Sequence, residues 1–239
     1  MFTRKLTSQQ KWMILLIFIP LYYYCGSVIV SAGMYFVLKT FSLTYDVNTL
    51  NAYLNLFADL LFIIVIVFIF KDSLKEQWHD FCKDVKGHLF YGIVIGTALL
   101  LAFNMLGGFI TLLLGQTSVS ENQNLINTLM QDHLFLMAFL SIICAPIIEE
   151  LLFRGAVFAW LYEIHPLVAH ALSSFLFGFI HIMQAVMAGN TTEWAQIFSY
   201  MLMGGVLSYL YEKKNNIFVP MLSHGMNNFI SVLLIVFVK

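Results

Sequence analysis

Long apolar runs separated by short polar connectors fill most of the chain. Seven of them are long enough to cross a hydrocarbon core, which takes roughly 20 apolar residues per helix. They run near 12–38, 51–70, 88–115, 133–156, 166–188, 194–212 and 217–238. The pattern predicts an all-α polytopic membrane helix bundle with about seven transmembrane helices. The first run follows Arg4 and Lys5 and is longer than the apolar part of a signal peptide. Its only cleavage-like stretch, Val-Ser-Ala-Gly, falls late, so it reads as a retained membrane helix.

Orientation follows from the basic residues. Arg4, Lys5 and Lys11 precede the first run; Lys71, Lys75, Lys83 and Lys86 lie between the second and third; Arg154 closes the fourth; Lys213 and Lys214 lie between the sixth and seventh. Only Lys39 and Lys239 fall on the other side, so the N-terminus is predicted to be cytoplasmic. The stretch from Lys71 to Lys86 mixes both charge signs with spaced Leu, Trp, Phe and Val. It reads either as an amphipathic helix on the cytoplasmic surface or as a solvated connector. The segment from Gln116 to Asp132 is polar, lacks Lys and Arg, and reads as an outer loop, and Asn190-Thr191-Thr192 matches a glycosylation acceptor.

Composition narrows the class further. The 239 residues are 60% hydrophobic and 10% charged, against about a quarter charged for a soluble domain. A net charge of -1 offers no basic face for nucleic acid. Cys25, Cys82 and Cys144 lie far apart, without a CxxC pair, and predict neither a disulfide framework nor a thiolate metal site.

Against this apolar background, ionisable groups inside membrane segments are costly and mark function by default. The fourth run carries Glu149, Glu150 and Arg154. Glu150 and Arg154 have the i, i+4 spacing of an intrahelical ion pair, while Glu149 is rotated by about 100°. One acid can then pair with Arg154 and the other can face a cavity. Pro146 removes a backbone donor and frees a carbonyl one turn earlier, which predicts a distortion beside the acids. The fifth run carries Phe177-x-x-x-His181 and the seventh His224-x-x-x-Asn228. Taken singly, these are compatible with a packing salt bridge, a core histidine and interhelical hydrogen bonds. Taken together, carboxylate and imidazole from three helices point to chemistry within the membrane. Helix lengths alone place a shared site in the cytoplasmic half. Asp59, Asn104, Gln184 and the methionines 183, 187, 201 and 203 read as structural, and His165 and His170, near the cytoplasmic end of the fifth run, as interfacial.

The three motifs, in this order on successive membrane helices, resemble the CAAX-protease and bacteriocin-processing (CPBP, or Abi) family. The resemblance covers about residues 133–235. It divides the chain into N-terminal helices with the connector, 1–132, and a catalytic helix core, 133–239. It implies an intramembrane endopeptidase in which Glu149 and His181 activate water, His224 and Asn228 hold the oxyanion, and Glu150 and Arg154 support the site. A desolvated glutamate is a stronger base near neutral pH, and donors fixed in a dry site can stabilise an oxyanion, in keeping with these roles. No cofactor is favoured. Zinc on Glu149, His181 and His224 is the alternative, since three ligands with an open fourth position make a catalytic site. The expected partners are the lipid bilayer and a membrane-associated peptide or protein substrate, as in peptide maturation or bacteriocin processing, with a bacterial cell membrane as the location. A non-enzymatic immunity or scaffold protein, or a proton-coupled transporter, would use the same buried polar groups.

Overall fold

The computed structural model describes residues 46–238 and scattered positions between 12 and 40. The predicted first span, 12–38, with Arg4, Lys5, Lys11 and Cys25, otherwise lies outside the described residues. The architecture is an all-α membrane helix bundle, with no strand among the described residues. Its helices are α1 (Val47–Lys83), α2 (Val85–Leu113), α3 (Glu121–Asp132), α4 (Leu134–Tyr162), α5 (Pro166–Met187), α6 (Ile197–Lys214) and α7 (Phe218–Phe237). A 3-10 turn, Thr191–Gln196, leads into α6. Among the described residues five helices, α1, α2, α4, α5 and α7, are long and apolar enough to span a membrane. The predicted sixth span corresponds to α6, an 18-residue helix whose last turn carries Glu212, Lys213 and Lys214.

Local chemistry sets the helix ends. Asp46 caps α1 by accepting from the Thr49 N–H at 2.9 Å. Pro166 starts α5, with the His165 ring accepting from the Leu167 N–H. Asn215 ends α6 in the left-handed conformation at φ 48°, with its N–H bonded to the Tyr211 carbonyl.

Two sequence expectations change. The 71–86 stretch is neither a separate surface helix nor a solvated connector for most of its length. Its residues to Lys83 continue α1, a 37-residue helix about 55 Å long. The buried face of that extension carries Ser73, Gln77 and Phe81. Gln77 clamps the α6–α7 turn. Its Oε1 accepts from the Ile217 N–H at 2.7 Å, its carbonyl accepts from Asn216 Nδ2 at 2.8 Å, and its Nε2 donates to the Asn215 carbonyl at 3.2 Å. The 116–132 segment is likewise more than a loop. Ser120 caps α3 by accepting from the Gln123 N–H, and Leu129 and Met130 bury one face of it. Buried Glu193 accepts from the Glu121 N–H, and its burial raises that carboxyl above its ordinary range. Asn190, the residue of the glycosylation-like motif, donates to Glu121 Oε1.

The core gathers around the middle of α4, where every residue from Glu150 to Phe158 is buried. A helix buried all round is a central one. Leu152, Phe153 and Phe158 pack with Phe177 of α5 and with Leu207, Leu210 and Tyr211 of α6. Helix α6 lies most extensively against α5 and α2, and small residues allow that closeness. A Cβ at Gly107 would lie 2.5 Å from the Ser199 Cα, whereas one at neighbouring Gly108 would meet nothing within 4 Å. Gly107→Ala is therefore expected to cost about 1–3 kcal/mol relative to Gly108→Ala, because overpacking forces backbone shifts. Thermal unfolding of the two variants in detergent checks this, and equal midpoints would contradict it.

Candidate active site

Helix α4 departs from α geometry where it carries the polar residues. Leu140–Cys144 and Glu150–Phe158 are wound as π-helix, a form that recurs at functional sites. In the first of these segments the Ala145 N–H bonds to the Leu140 carbonyl, which releases the Ser141 carbonyl from the α-helical ladder. Pro146, having no N–H, cannot engage Ile142. Helix α7 takes up both positions. Asn228 Nδ2 donates to the Ser141 carbonyl at 2.8 Å, and Gly225 sits so close that a Cβ there would lie 2.9 Å from the Ile142 oxygen. The distortion that Pro146 predicts thus becomes the seat of the α7 motif.

The two acids of α4 part company. Glu150 Oε1 accepts from Arg154 Nη1 at 3.2 Å and from His224 Nδ1 at 2.9 Å. Arg154 also donates to the Gly204 carbonyl at 3.0 Å, and its guanidinium lies 4.5 Å over the Phe177 ring. Glu150 and Arg154 are both fully buried. Glu149 points the other way, into a cavity of about 840 Å³. Its Oε2 is buried, has no hydrogen-bond partner among the described residues, and lies 3.8 Å from His181 Nε2 and 3.9 Å from His224 Nε2.

The histidine tautomers follow from their partners. A carbonyl only accepts, so His181 Nδ1–H donates to the Phe177 carbonyl at 2.7 Å. A carboxylate likewise fixes the proton on His224 Nδ1. Both rings therefore turn Nε2 towards Glu149. Asn228 is held at both ends, with Nδ2 on the Ser141 carbonyl and Oδ1 accepting from Asn227 Nδ2 at 3.3 Å. That leaves the second Nδ2–H of Asn228 as its available donor.

All six residues singled out from the sequence are thus brought together. Glu149, His181, His224 and Asn228 line the cavity, while Glu150 and Arg154 sit behind it. Asn104, Gln184 and Met203, which read as packing residues, also line it, and so do Tyr200 and Asn227, which carry no motif. Asn227 is buried, with Oδ1 unpartnered among the described residues. Its place next to Asn228 was the only signal in the sequence. Tyr200 stacks on His181 at 4.4 Å between ring centroids. His170 belongs elsewhere, in a cluster with Ser208, Glu212 and Tyr162.

The cavity extends well beyond Glu149. Its walls include Ser120, Leu125 and Met130 of the α3 region, Ala185 and Ala188 at the C-terminal end of α5, and Ile235 of α7. It therefore runs from Glu149 towards the end of the bundle opposite the Lys-rich connectors.

For zinc, tetrahedral ligands at about 2.0–2.1 Å would stand about 3.3–3.4 Å apart. The Glu149–histidine separations of 3.8 and 3.9 Å are wider, and no three His, Cys, Asp or Glu side chains among the described residues are grouped to hold a metal ion.

Residues 131–230 match the family described as Rce1-like, type II CAAX prenyl endopeptidase Rce1-like. The matched segment contains all six candidate residues and agrees with the resemblance drawn from the three motifs. Among curated proteins, the chain is similar to "Putative membrane peptidase YdiL" of Bacillus subtilis (strain 168), 29% identical over 168 residues, which is 70% of this chain and 64% of that protein. It is also similar to "UPF0177 protein YvdC" of Lactococcus lactis subsp. lactis (strain IL1403), 25% identical over 198 residues, covering 80% of this chain and 73% of that one. The chain thus spans less than two thirds of the Bacillus relative's length. No solved structure shows significant similarity to it.

Proposed function

With residues 131–230 matching the Rce1-like family of type II CAAX prenyl endopeptidases, we propose that this chain is an intramembrane endopeptidase. It hydrolyses peptide bonds of small membrane-associated peptides or of protein C-termini, as a multi-pass protein of a bacterial membrane. The observation that carries the reading is the buried Glu149 Oε2 flanked by two imidazole Nε2 atoms at 3.8 and 3.9 Å. Separations of that size suit a water molecule held between polar groups.

In the proposed mechanism a water hydrogen-bonded to Glu149 and to His181 Nε2 attacks the substrate carbonyl carbon, and Glu149 takes its proton. The carbonyl π electrons pass to oxygen, and the resulting oxyanion accepts from the second Nδ2–H of Asn228. His224 is the other donor. With Nδ1–H committed to Glu150, it donates Nε2–H as the imidazolium, whose charge Glu150 offsets. Such preorganised donors in a water-poor site contribute about 2.7–4 kcal/mol each. Collapse breaks the C–N bond, and Glu149 returns the proton to the leaving amine. Arg154 fixes Glu150, so that pair acts through His224.

The test is cleavage of a fluorogenic membrane-peptide library by the purified protein, with and without a zinc chelator. Cleavage is expected to survive the chelator. Loss with chelator, restored by zinc, would replace direct water activation by a metal mechanism. No cleavage of any peptide by folded protein would favour the immunity or scaffold reading.

A further inference from the structure

Among the described residues the His181 ring has one hydrogen-bonded anchor, Nδ1–H to the Phe177 carbonyl. A single bond to its own helix leaves rotation about that anchor to be set by the rings that lie against it. The Phe177 ring is tilted at 46° with centroids 4.7 Å apart. Tyr200 of α6 stacks nearly parallel, at 20° and 4.4 Å. Tyr200 is pinned at its far end, where its hydroxyl shares a 2.7 Å hydrogen bond with Ser120 Oγ and also meets the Asn122 side chain. Ser120 is the residue that caps α3, and α3 supplies one wall of the cavity.

We propose that Tyr200 is a positioning residue for the reaction: its ring holds His181 Nε2 on the line to Glu149, and its hydroxyl ties that alignment to the seating of α3. The proposal rests on the peptidase reading above, because alignment of His181 matters to rate only if His181 orients the attacking water. Misplacement of a reacting group by about 1 Å can cost on the order of 100-fold, so a ring free to swing is a kinetic defect even where binding is intact. The hydroxyl serves a different end. It joins two segments that are 80 residues apart in sequence.

Three variants separate the parts. Tyr200→Leu removes the stack, Tyr200→Phe keeps the ring and loses the tie, and Ser120→Ala removes one of the two side chains that hold the hydroxyl, Asn122 being the other. On the peptide that wild type cleaves fastest, Tyr200→Leu is expected to lose about 10- to 100-fold in kcat with KM nearly unchanged. Tyr200→Phe and Ser120→Ala are expected to stay within about threefold of wild type and of each other, since the stack persists in both. A second readout does not depend on activity: selective 15N-histidine spectra, with His181 assigned by its loss in His181→Gln. Wild type and Tyr200→Phe are expected to show the Nδ1–H tautomer, and Tyr200→Leu a mixture of tautomers. An unchanged kcat in Tyr200→Leu, a loss confined to KM, a loss in Tyr200→Phe equal to that in Tyr200→Leu, or one His181 tautomer in all variants would overturn the proposal. Wild-type protein that cleaves nothing while the tautomers follow this pattern would instead overturn the peptidase reading alone.

Discussion

Replacing Glu149 with alanine is expected to lower kcat by about 10³-fold or more, with the protein still folded and inserted. Positioned general-base catalysis contributes on the order of 10²–10⁴, and no second carboxylate can substitute, because Glu150 is committed to Arg154 and His224. The fold should tolerate the change. Glu149 lines a cavity, and its Oε2 has no protein donor to lose among the described residues. Glu149→Gln should be equally inactive, since the amide keeps the shape and cannot accept the proton. Single-turnover cleavage beside a thermal-unfolding curve in detergent measures both halves. A Glu149→Gln protein with wild-type turnover would remove the glutamate from the mechanism and with it the proposed reaction.

The second large effect is on stability. Arg154→Met is expected to destabilise the protein by about 3–5 kcal/mol, the cost of breaking a buried ion pair by removing one partner. Arg154 and Glu150 are fully buried, so solvent cannot replace the guanidinium, and Glu150 keeps only its contact with His224. Loss of the arginine also removes the added donor that reaches the Gly204 carbonyl at 3.0 Å. Adding Glu150→Gln to Arg154→Met removes the stranded carboxylate and should restore part of the loss, as residues in one hydrogen-bonded network are not additive. Detergent unfolding midpoints and membrane abundance of the three variants provide the check. A double variant no more stable than Arg154→Met would show that the pair is not what the buried charge costs depend on.

The contrast between these two neighbours was legible in the sequence, because spacing on a helix fixes which side chains share a face. Glu150 and Arg154 at i, i+4 pair as expected, and Glu149 faces the cavity. The apolar runs were legible for the same reason, as length and hydropathy directly report what must be kept from water. Three features were not. The 116–132 segment contains α3, whose apolar face is short and interleaved with Asn and Gln, so its periodicity is weak although Ser120 is a good cap. The charged stretch after residue 70 continues α1 because Gln77 finds partners 138–140 residues away, a tertiary effect without a local signature. Tyr200 and Asn227 reach the site by packing. A tyrosine on a helix is most often a core or interface residue, so nothing in its neighbours distinguishes it.

The Gln77 clamp has a mechanical consequence for the cavity. By fixing the Ile217 N–H, it makes the start of α7 a fulcrum, and tilting of the helix displaces each residue in proportion to its distance from that point. His224 lies about 10 Å along the lever and Ile235 about 27 Å. A tilt that moves the cavity wall at Ile235 by a given amount moves His224 little more than a third as far. The cavity wall at Ile235 is therefore the part of α7 that such a tilt displaces most, and His224 the part it displaces least among the cavity-lining residues of that helix.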